Sequence, residues 1–389
     1  MAPQAHRQQP FNFSFFLFGH YAYAGTFATY AALFFAARGM SVTEIGVLLS
    51  LIQVMRIFGP NVWGWVADHT SARARVLRLT ACAALLCFSA MFFSHTFIEF
   101  FAAMVLVNLF TSAQAPLSEA LMLSDMRGDL GKYGRIRLWG SVGFIVAVVA
   151  GGYLLDLFGT ESLLWYCGAL LLVVLGASVR LRDVPHEHHE QVAPPLWWVL
   201  RKPEVMAFFL STALMVGAHM ALYAFYSLYL ARAGYGKPVI GAMWALGVVA
   251  EVVFFYFQGR VFGRFSARRV MLCAFALALL RFTVTGALPH VFWVLVLAQV
   301  MHAATFAAHH SAAVMTMQRW FTGALAARGQ ALYISMSYGV GGTLGGLFMT
   351  FLWERVGPEQ MYYGAALLAV LGAGVAQYAL RPEHTRSAA

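Results

Sequence analysis

The chain is a succession of apolar stretches, each about twenty residues long, set off by short segments rich in polar residues, glycine or proline. A helix rising about 1.5 Å per residue needs about that length to cross the hydrocarbon layer of a bilayer. Only 11% of the residues are charged and 61% are hydrophobic, whereas soluble domains carry about a quarter charged residues. Strands of a membrane barrel would alternate polar and apolar residues, and "FIVAVVAGGYLLDLF" does not alternate. The pattern predicts an all-α integral membrane protein. Its twelve transmembrane helices fall near 11–37, 43–67, 75–95, 98–122, 134–158, 162–180, 204–231, 239–261, 269–288, 291–317, 329–353 and 361–380.

The net charge of +10 raises the possibility of a nucleic-acid partner, and its placement argues against one. Of the 26 Lys and Arg residues, Arg38, Arg232, Lys237 and Arg355 fall outside, while Arg56 and Arg281 sit within spans. The rest gather in or beside the segments that are cytoplasmic if the N-terminus is inside. That is the positive-inside bias of a multi-pass protein with both termini in the cytoplasm. The opening "MAPQAHRQQP" leads straight into a full-length span without a small-residue cleavage site, so no signal peptide is expected. Cys82, Cys87, Cys167 and Cys273 lie in apolar spans without metal-ligand spacing and read as small packing residues.

The longest polar stretch, "RLRDVPHEHHEQVAPPLWWVLRKPEV", divides the chain into residues 1–181, a cytoplasmic linker over 182–203, and residues 204–389. Its "HEHH" reads as part of a solvated linker, because no second ligand cluster completes a metal site. The two sides repeat each other. A shift of 195 residues lays Ile45-Gly46 on Ile240-Gly241, Gly64 on Gly259 and Ser71-Ala72-Arg73 on Ser266-Ala267-Arg268, without a gap. A shift of 196 lays "YCGALLLVVLGASV" on "YYGAALLAVLGAGV". Two parallel six-helix bundles related by an axis along the membrane normal are the architecture of major facilitator transporters. Gly64, Asp68 and Arg73 then resemble that superfamily's cytoplasmic signature between spans two and three, with His69 and Ala72 departing from it. A glycine there permits close helix approach, and the aspartate can accept from an adjacent helix's first amides and from arginine, a gating contact. The second copy has Gly263 where Asp68 would recur.

Charges inside spans mark function, because an intramembrane ion is costly unless it is paired or lines a wet cavity. Arg56 lies midway between Glu44 and Asp68, and the 195-residue shift puts Glu251 at the equivalent depth of the other half. Arg56 is therefore expected to face the substrate path, with Glu251 as a candidate counter-charge; a static packing pair is the alternative. Arg281 lies deep in span nine, and His219 and Tyr223 share a face of span seven. Gln299, His302, Phe306 and His309 recur at helical spacing in span ten. Glu119 and Arg137 sit toward the cytoplasmic ends of spans four and five. Two arginines suit a carboxylate, and Tyr223, Phe225, Tyr226 and Phe306 can supply an aromatic wall.

The blocks "MRIFG", "YGRIRLWGS", "GAHMALYAFY", "LGVVAEVVFF", "QVMHAATFAAHH" and "RGQALYISMSYGVGGTLG" make the sequence resemble the phenylpropionate permease family of the major facilitator superfamily. That family is distantly related to lactose permease-type proton symporters. The resemblance implies proton-coupled uptake of a small organic solute across the bacterial inner membrane. Set against the lactose permease pattern, Glu119 and Arg137 match a sugar-contacting pair, Glu251 a sugar-contacting glutamate, Arg281 the coupling arginine and His302 the coupling histidine. Gln299 stands where that pattern has a lysine, and Thr305 where it has the proton-carrying glutamate, so the proton role passes to Glu251 or Glu119 with His302. The expected site comprises Arg56, Glu119, Arg137, His219, Tyr223, Arg281 and Phe306 for substrate and Glu251 with His302 for the proton. Gly64, Asp68 and Arg73 are the gate. A neutral sugar or nucleoside is the second substrate class, and a non-transporting membrane sensor or assembly factor is the reading from another class. No nucleophile constellation, phosphate loop, metal site or cofactor motif points to an enzyme, and a two-half fold is expected to work as a monomer.

Overall fold

The structure, a computed structural model, describes residues 10–126, 130–183 and 196–381. Among them every regular element is helical. The "HEHH" of the linker lies outside the described residues. In chain order the helices are α1 (Pro10–Ala37), α2 (Val42–Thr70), α3 (Arg73–Ser89), α4 (Phe97–Thr111), α5 (Gln114–Asp125), α6 (Leu130–Phe158), α7 (Ser162–Val179) and the single turn α8 (Trp197–Leu200). They continue as α9 (Pro203–Arg232), α10 (Lys237–Arg264), α11 (Ala267–Ala287), α12 (Phe292–Val300), α13 (His309–Trp320), α14 (Ala326–Tyr333), α15 (Gly342–Val356) and α16 (Pro358–Ala379). Two π-helical stretches, Ala303–Ala308 and Ile334–Gly341, join α12 to α13 and α14 to α15.

Among the described residues ten helical runs are long and apolar enough to cross a membrane. The α1 helix and the run from α14 through α15 occupy the positions of the other two expected spans. Large apolar side chains on the helix surfaces, such as Phe93, Ile98, Leu157 and Trp165, are more than 70% exposed. Lipid tails, not water, suit such surfaces.

Three spans expected to run unbroken are interrupted. Expected span four is the pair α4 and α5, which break at Ser112-Ala113. Pro116 accounts for it: the residue has no N–H for the Ser112 carbonyl, and its ring presses on that carbonyl. Expected spans ten and eleven carry the two π stretches, which change the register of every residue after them.

The described helices cluster into two compact units. One comprises α1, α2 from Met55 onward, α3 to α7 and the start of α10 as far as Ala245. Its core joins Phe13, Phe16 and Leu17 of α1 to Ala67 of α2, Leu77 of α3, Leu117 and Leu121 of α5 and Val174 of α7. At one end Arg38 holds both carboxylate oxygens of Glu161 at 2.6 Å and donates to the Ser94 carbonyl at 3.3 Å. The other unit comprises Ser41 and α2 as far as Val54, α8, α9, α10 from Leu246 and α11 to α16. There α16 lies against α9 and α11, and α9 against α15.

Close approach of α2 occurs at Gly59, not at Gly64. A Cβ on Gly59 would run into the Ser112 hydroxyl and come within 2.9 Å of the Leu109 carbonyl, whereas one on Gly64 meets nothing within 4 Å. The Leu109 carbonyl also accepts from the Trp63 indole at 3.1 Å. The interrupted end of α4 is thus tied to α2. The cysteines depart from expectation as well: Cys167 is buried, but Cys82 and Cys273 are exposed on the helix surface and do not fill the core.

Candidate transport site

The second unit contains a buried polar cluster built on four helices. Arg281 of α11 is 1% exposed and reaches the start of the π stretch after α12. Its Nη1 lies 2.8 Å from His302 Nδ1 and donates to the Thr305 hydroxyl at 3.0 Å, while Nη2 donates to Gln299 Oε1 at 3.3 Å. On the far side of His302, Nε2 lies 2.9 Å from Glu251 Oε1. A carboxylate, an imidazole and a guanidinium are therefore joined in one chain, Glu251–His302–Arg281. The acid expected by symmetry to answer Arg56 has His302 as a partner within its own unit. Glu251 lies on α10, which reaches this unit only from Leu246 onward.

The chain extends to α9. His219 Nε2 sits 3.2 Å from the Thr305 hydroxyl, and its Nδ1 lies 2.9 Å from the Met215 carbonyl one turn back. Thr305 thereby links a base on α9 to a cation on α11 that lies 62 residues further along the chain. Gln299 and Thr305, the positions that depart from the lactose permease pattern, both accept from Arg281, so neutral oxygens occupy the places of a lysine and an acid. Arg281, expected to bind substrate, contacts His302, Thr305 and Gln299 of its own unit. It holds His302 in place.

His219 and Tyr223 share a pocket with Thr305, Phe306, His309 and Tyr338. Tyr223 and Phe306 face each other edge-on, 6.4 Å between centroids. Phe225 takes no part in this aromatic wall. It packs on Trp353 at 5.1 Å and is buried, because residues two apart on a helix point in different directions. The π stretch also corrects the expected face of span ten. His302, Phe306 and His310 form the stack, at 5.3 and 6.2 Å, while the His309 ring packs perpendicular to Phe275 at 5.3 Å. His310 contacts the hydroxyls of Tyr338 and Tyr333 at 3.1 and 3.2 Å. No spacing rule for an uninterrupted α-helix singles out His310 or Tyr338.

In the first unit Arg137 of α6 donates through Nε to Glu119 Oε1 at 2.9 Å and through Nη2 to the Tyr21 hydroxyl at 2.7 Å. Its guanidinium lies 4.3 Å from the centre of the Tyr21 ring. Both members of the ion pair keep about a third of their side chains exposed. Tyr21 belongs to α1 and has no charge to flag it in the sequence. Arg56 is half-buried on α2, in the same unit.

The gating residues divide their expected tasks. Asp68 Oδ1 accepts from Arg73 Nη2 at 3.1 Å, and Arg73 Nη1 donates to the Ser124 hydroxyl at 3.3 Å. The amide expected to bind Asp68 is served from elsewhere: Asp183 accepts from the Ala74 N–H at 2.6 Å. The α3 helix has Ala72 at its N-cap, which offers no side-chain acceptor, so a carboxylate from beyond α7 supplies one. In the second copy Ser266 caps α11 itself. Among the described residues no group of three or more His, Cys, Asp or Glu is placed to hold a metal ion.

Repeated bilayer-length helices that carry acids, imidazoles and a buried guanidinium group within their spans define a multi-pass membrane transport protein. The model of the MFS_1 like family matches residues 11–364, and the chain belongs to that family of major facilitator transporters. It is 29% identical over 354 residues to a probable 3-phenylpropionic acid transporter of Escherichia coli (strain K12), covering 89% of this chain and 91% of the relative. It is 25% identical over 348 residues to a maltose permease of Geobacillus stearothermophilus, covering 89% and 88%. Among solved structures it is similar to the nucleoside transporter NupG, with a TM-score of 0.79 at 18% identity over 96% of this chain and 99% of that one. A bacterial homologue of the lysosomal transporter Spinster gives a TM-score of 0.74 at 14% identity, covering 98% of each chain. At those identities the likeness to solved structures is one of fold.

Proposed function

We propose that this transporter takes up a small aromatic or other organic monocarboxylate, such as a phenylpropionate-like acid, together with a proton. It acts by alternating access in the bacterial inner membrane, as a monomer with both termini in the cytoplasm. The observation that carries the coupling is the contact of 2.9 Å between Glu251 and His302, continued to Arg281. A carboxylate next to an imidazole can exchange a proton, and a guanidinium beside them makes the local charge depend on where that proton sits. The substrate class is supported by the relative described as a probable 3-phenylpropionic acid transporter and by the pairing of aromatic rings with arginines. Arg137 and Arg56 are the cations assigned to the carboxylate, because each keeps part of its side chain exposed whereas Arg281 is fully buried. Within the second unit, Tyr223, Phe306 and His219 are assigned to substrate as well. Asp68 and Arg73, with Gly64, are assigned to gating.

A neutral sugar or nucleoside is the second reading. It is favoured by the Arg137–Glu119 pair, which has no net charge and offers both donors and acceptors to hydroxyl groups. Uptake of labelled aromatic acids, sugars and nucleosides into proteoliposomes, with and without an imposed proton gradient, tests both. Proton-driven accumulation of an aromatic acid is the expected result. Accumulation of a sugar or nucleoside alone overturns the first reading, and accumulation that ignores the proton gradient overturns the coupling.

A further inference from the structure

His309 has no part in the coupling chain, yet it is 4% exposed and its Nε2 has no hydrogen-bond partner. A buried ring nitrogen left in that state costs stability, and such groups call for a reason. Its polar neighbours in the pocket are already engaged. The Thr305 hydroxyl serves Arg281 and His219, and the Tyr338 hydroxyl contacts His310. The pocket has room for one water-sized group. Both π-helical stretches contribute to its wall, Thr305 and Phe306 from one and Tyr338 from the other. Such stretches sacrifice regular hydrogen bonding and concentrate at functional sites.

We propose that this pocket is a hydrogen-bonding subsite for one hydroxyl group carried on the transported molecule, with His309 as the residue that selects for it. The proposal rests on the reading of the chain as a carrier of aromatic acids. Imidazole Nε2 donates in one tautomer and accepts in the other, and a hydroxyl can do either, so it satisfies His309 whichever tautomer is present. A carbonyl or carboxylate oxygen matches only one of them. The available room excludes groups much larger than a hydroxyl. Tyr223 and Phe306, edge-on to one another beside it, offer aromatic surface to the ring that bears the hydroxyl. The substrate class is therefore narrowed from aromatic acids in general to ring-hydroxylated aromatic acids.

The test compares phenylpropionate with its ring-hydroxylated analogues in proteoliposomes containing the full chain, read as the ratio of their KM values. The wild type is expected to favour one hydroxylated isomer by about tenfold, the effect of one hydrogen bond to a buried group that is otherwise unpaired. His309→Phe keeps a flat ring without the nitrogen and is expected to bring the ratio to about one, while His309→Gln, which retains a donor and an acceptor, keeps most of the preference. Should His309→Phe not fold, His309→Leu removes the nitrogen with a different shape and serves the same comparison. Wild-type uptake of both acids with equal KM overturns the subsite and leaves the aromatic-acid reading standing. A preference that survives both apolar variants also overturns it, since the hydroxyl is then recognised elsewhere. Uptake of neither acid overturns the carrier reading and the subsite together.

Discussion

Replacing Thr305 with valine preserves the shape of the side chain and removes one oxygen. That oxygen accepts from Arg281 Nη1 at 3.0 Å and lies 3.2 Å from His219 Nε2, in a residue with no exposed surface. A hydrogen bond to a charged group contributes about 1.5–3 kcal/mol in soluble proteins, but bonds between membrane helices average about 0.6 kcal/mol and reach about 1.7 kcal/mol. Assigning the upper membrane value to the guanidinium bond and the average to the imidazole bond gives a loss of about 2 kcal/mol. Arg281 keeps His302 and Gln299 as partners, so the loss should not grow to that of an isolated buried cation. Equilibrium unfolding in mixed micelles, followed by tryptophan fluorescence, measures it. Thr305→Ser, which retains the oxygen, should lie close to the wild type. A double-mutant cycle with His219→Phe isolates the imidazole bond and should return a coupling of about 0.6 kcal/mol. Stability of Thr305→Val within about 0.5 kcal/mol of wild type, the scatter expected of independent sites, would refute the claim that this hydroxyl ties α9 to α11 and the π stretch.

Glu251→Gln is expected to abolish accumulation driven by a proton gradient while leaving exchange of labelled for unlabelled substrate, because glutamine can accept the His302 bond but cannot carry a proton; normal proton-driven accumulation would move the role to Glu119. Gly59→Ala should destabilise the protein by about 1–3 kcal/mol, since its methyl group meets the Leu109 carbonyl and the Ser112 hydroxyl, whereas Gly64→Ala should leave unfolding unchanged; equal melting of the two variants would contradict the packing of α2 on α4. Asp68→Asn should slow transport strongly with little change in stability, because the Asp68 side chain is 57% exposed and its pair with Arg73 contributes under about 1 kcal/mol when static. Gly263→Asp in the second copy should have a much smaller effect, and an equal effect on transport rates would remove the assignment of the gate to the first copy.

Several of the residues that matter announced themselves in the sequence because their cost is local. An arginine, glutamate or histidine inside an apolar span is expensive wherever the helix ends up, which is why Arg56, Arg137, Glu251, Arg281 and His302 stand out. Tyr21, Asp183, His310 and Tyr338 did not stand out. Tyrosines are common in membrane helices, Asp183 lies in a polar segment where a carboxylate is unremarked, and the roles of His310 and Tyr338 depend on π stretches that no periodicity rule anticipates.

What the sequence determined by itself is what each segment settles alone. Length and hydrophobicity set the membrane-crossing helices, because transfer into the bilayer is decided residue by residue and backbone hydrogen bonds close within a helix. The internal repeat carried the expectation of two six-helix halves, since equivalent residues recur at a constant offset. The tertiary structure decided the choice of partners. Whether Arg281 is free for a substrate or engaged by His302, Thr305 and Gln299 depends on the rotation of α11 against the π stretch after α12, and one inserted backbone step changes it. Hydrogen bonds and ring contacts act over only 3 to 6 Å, so a rotation or register change too small to alter any hydropathy pattern reassigns them all.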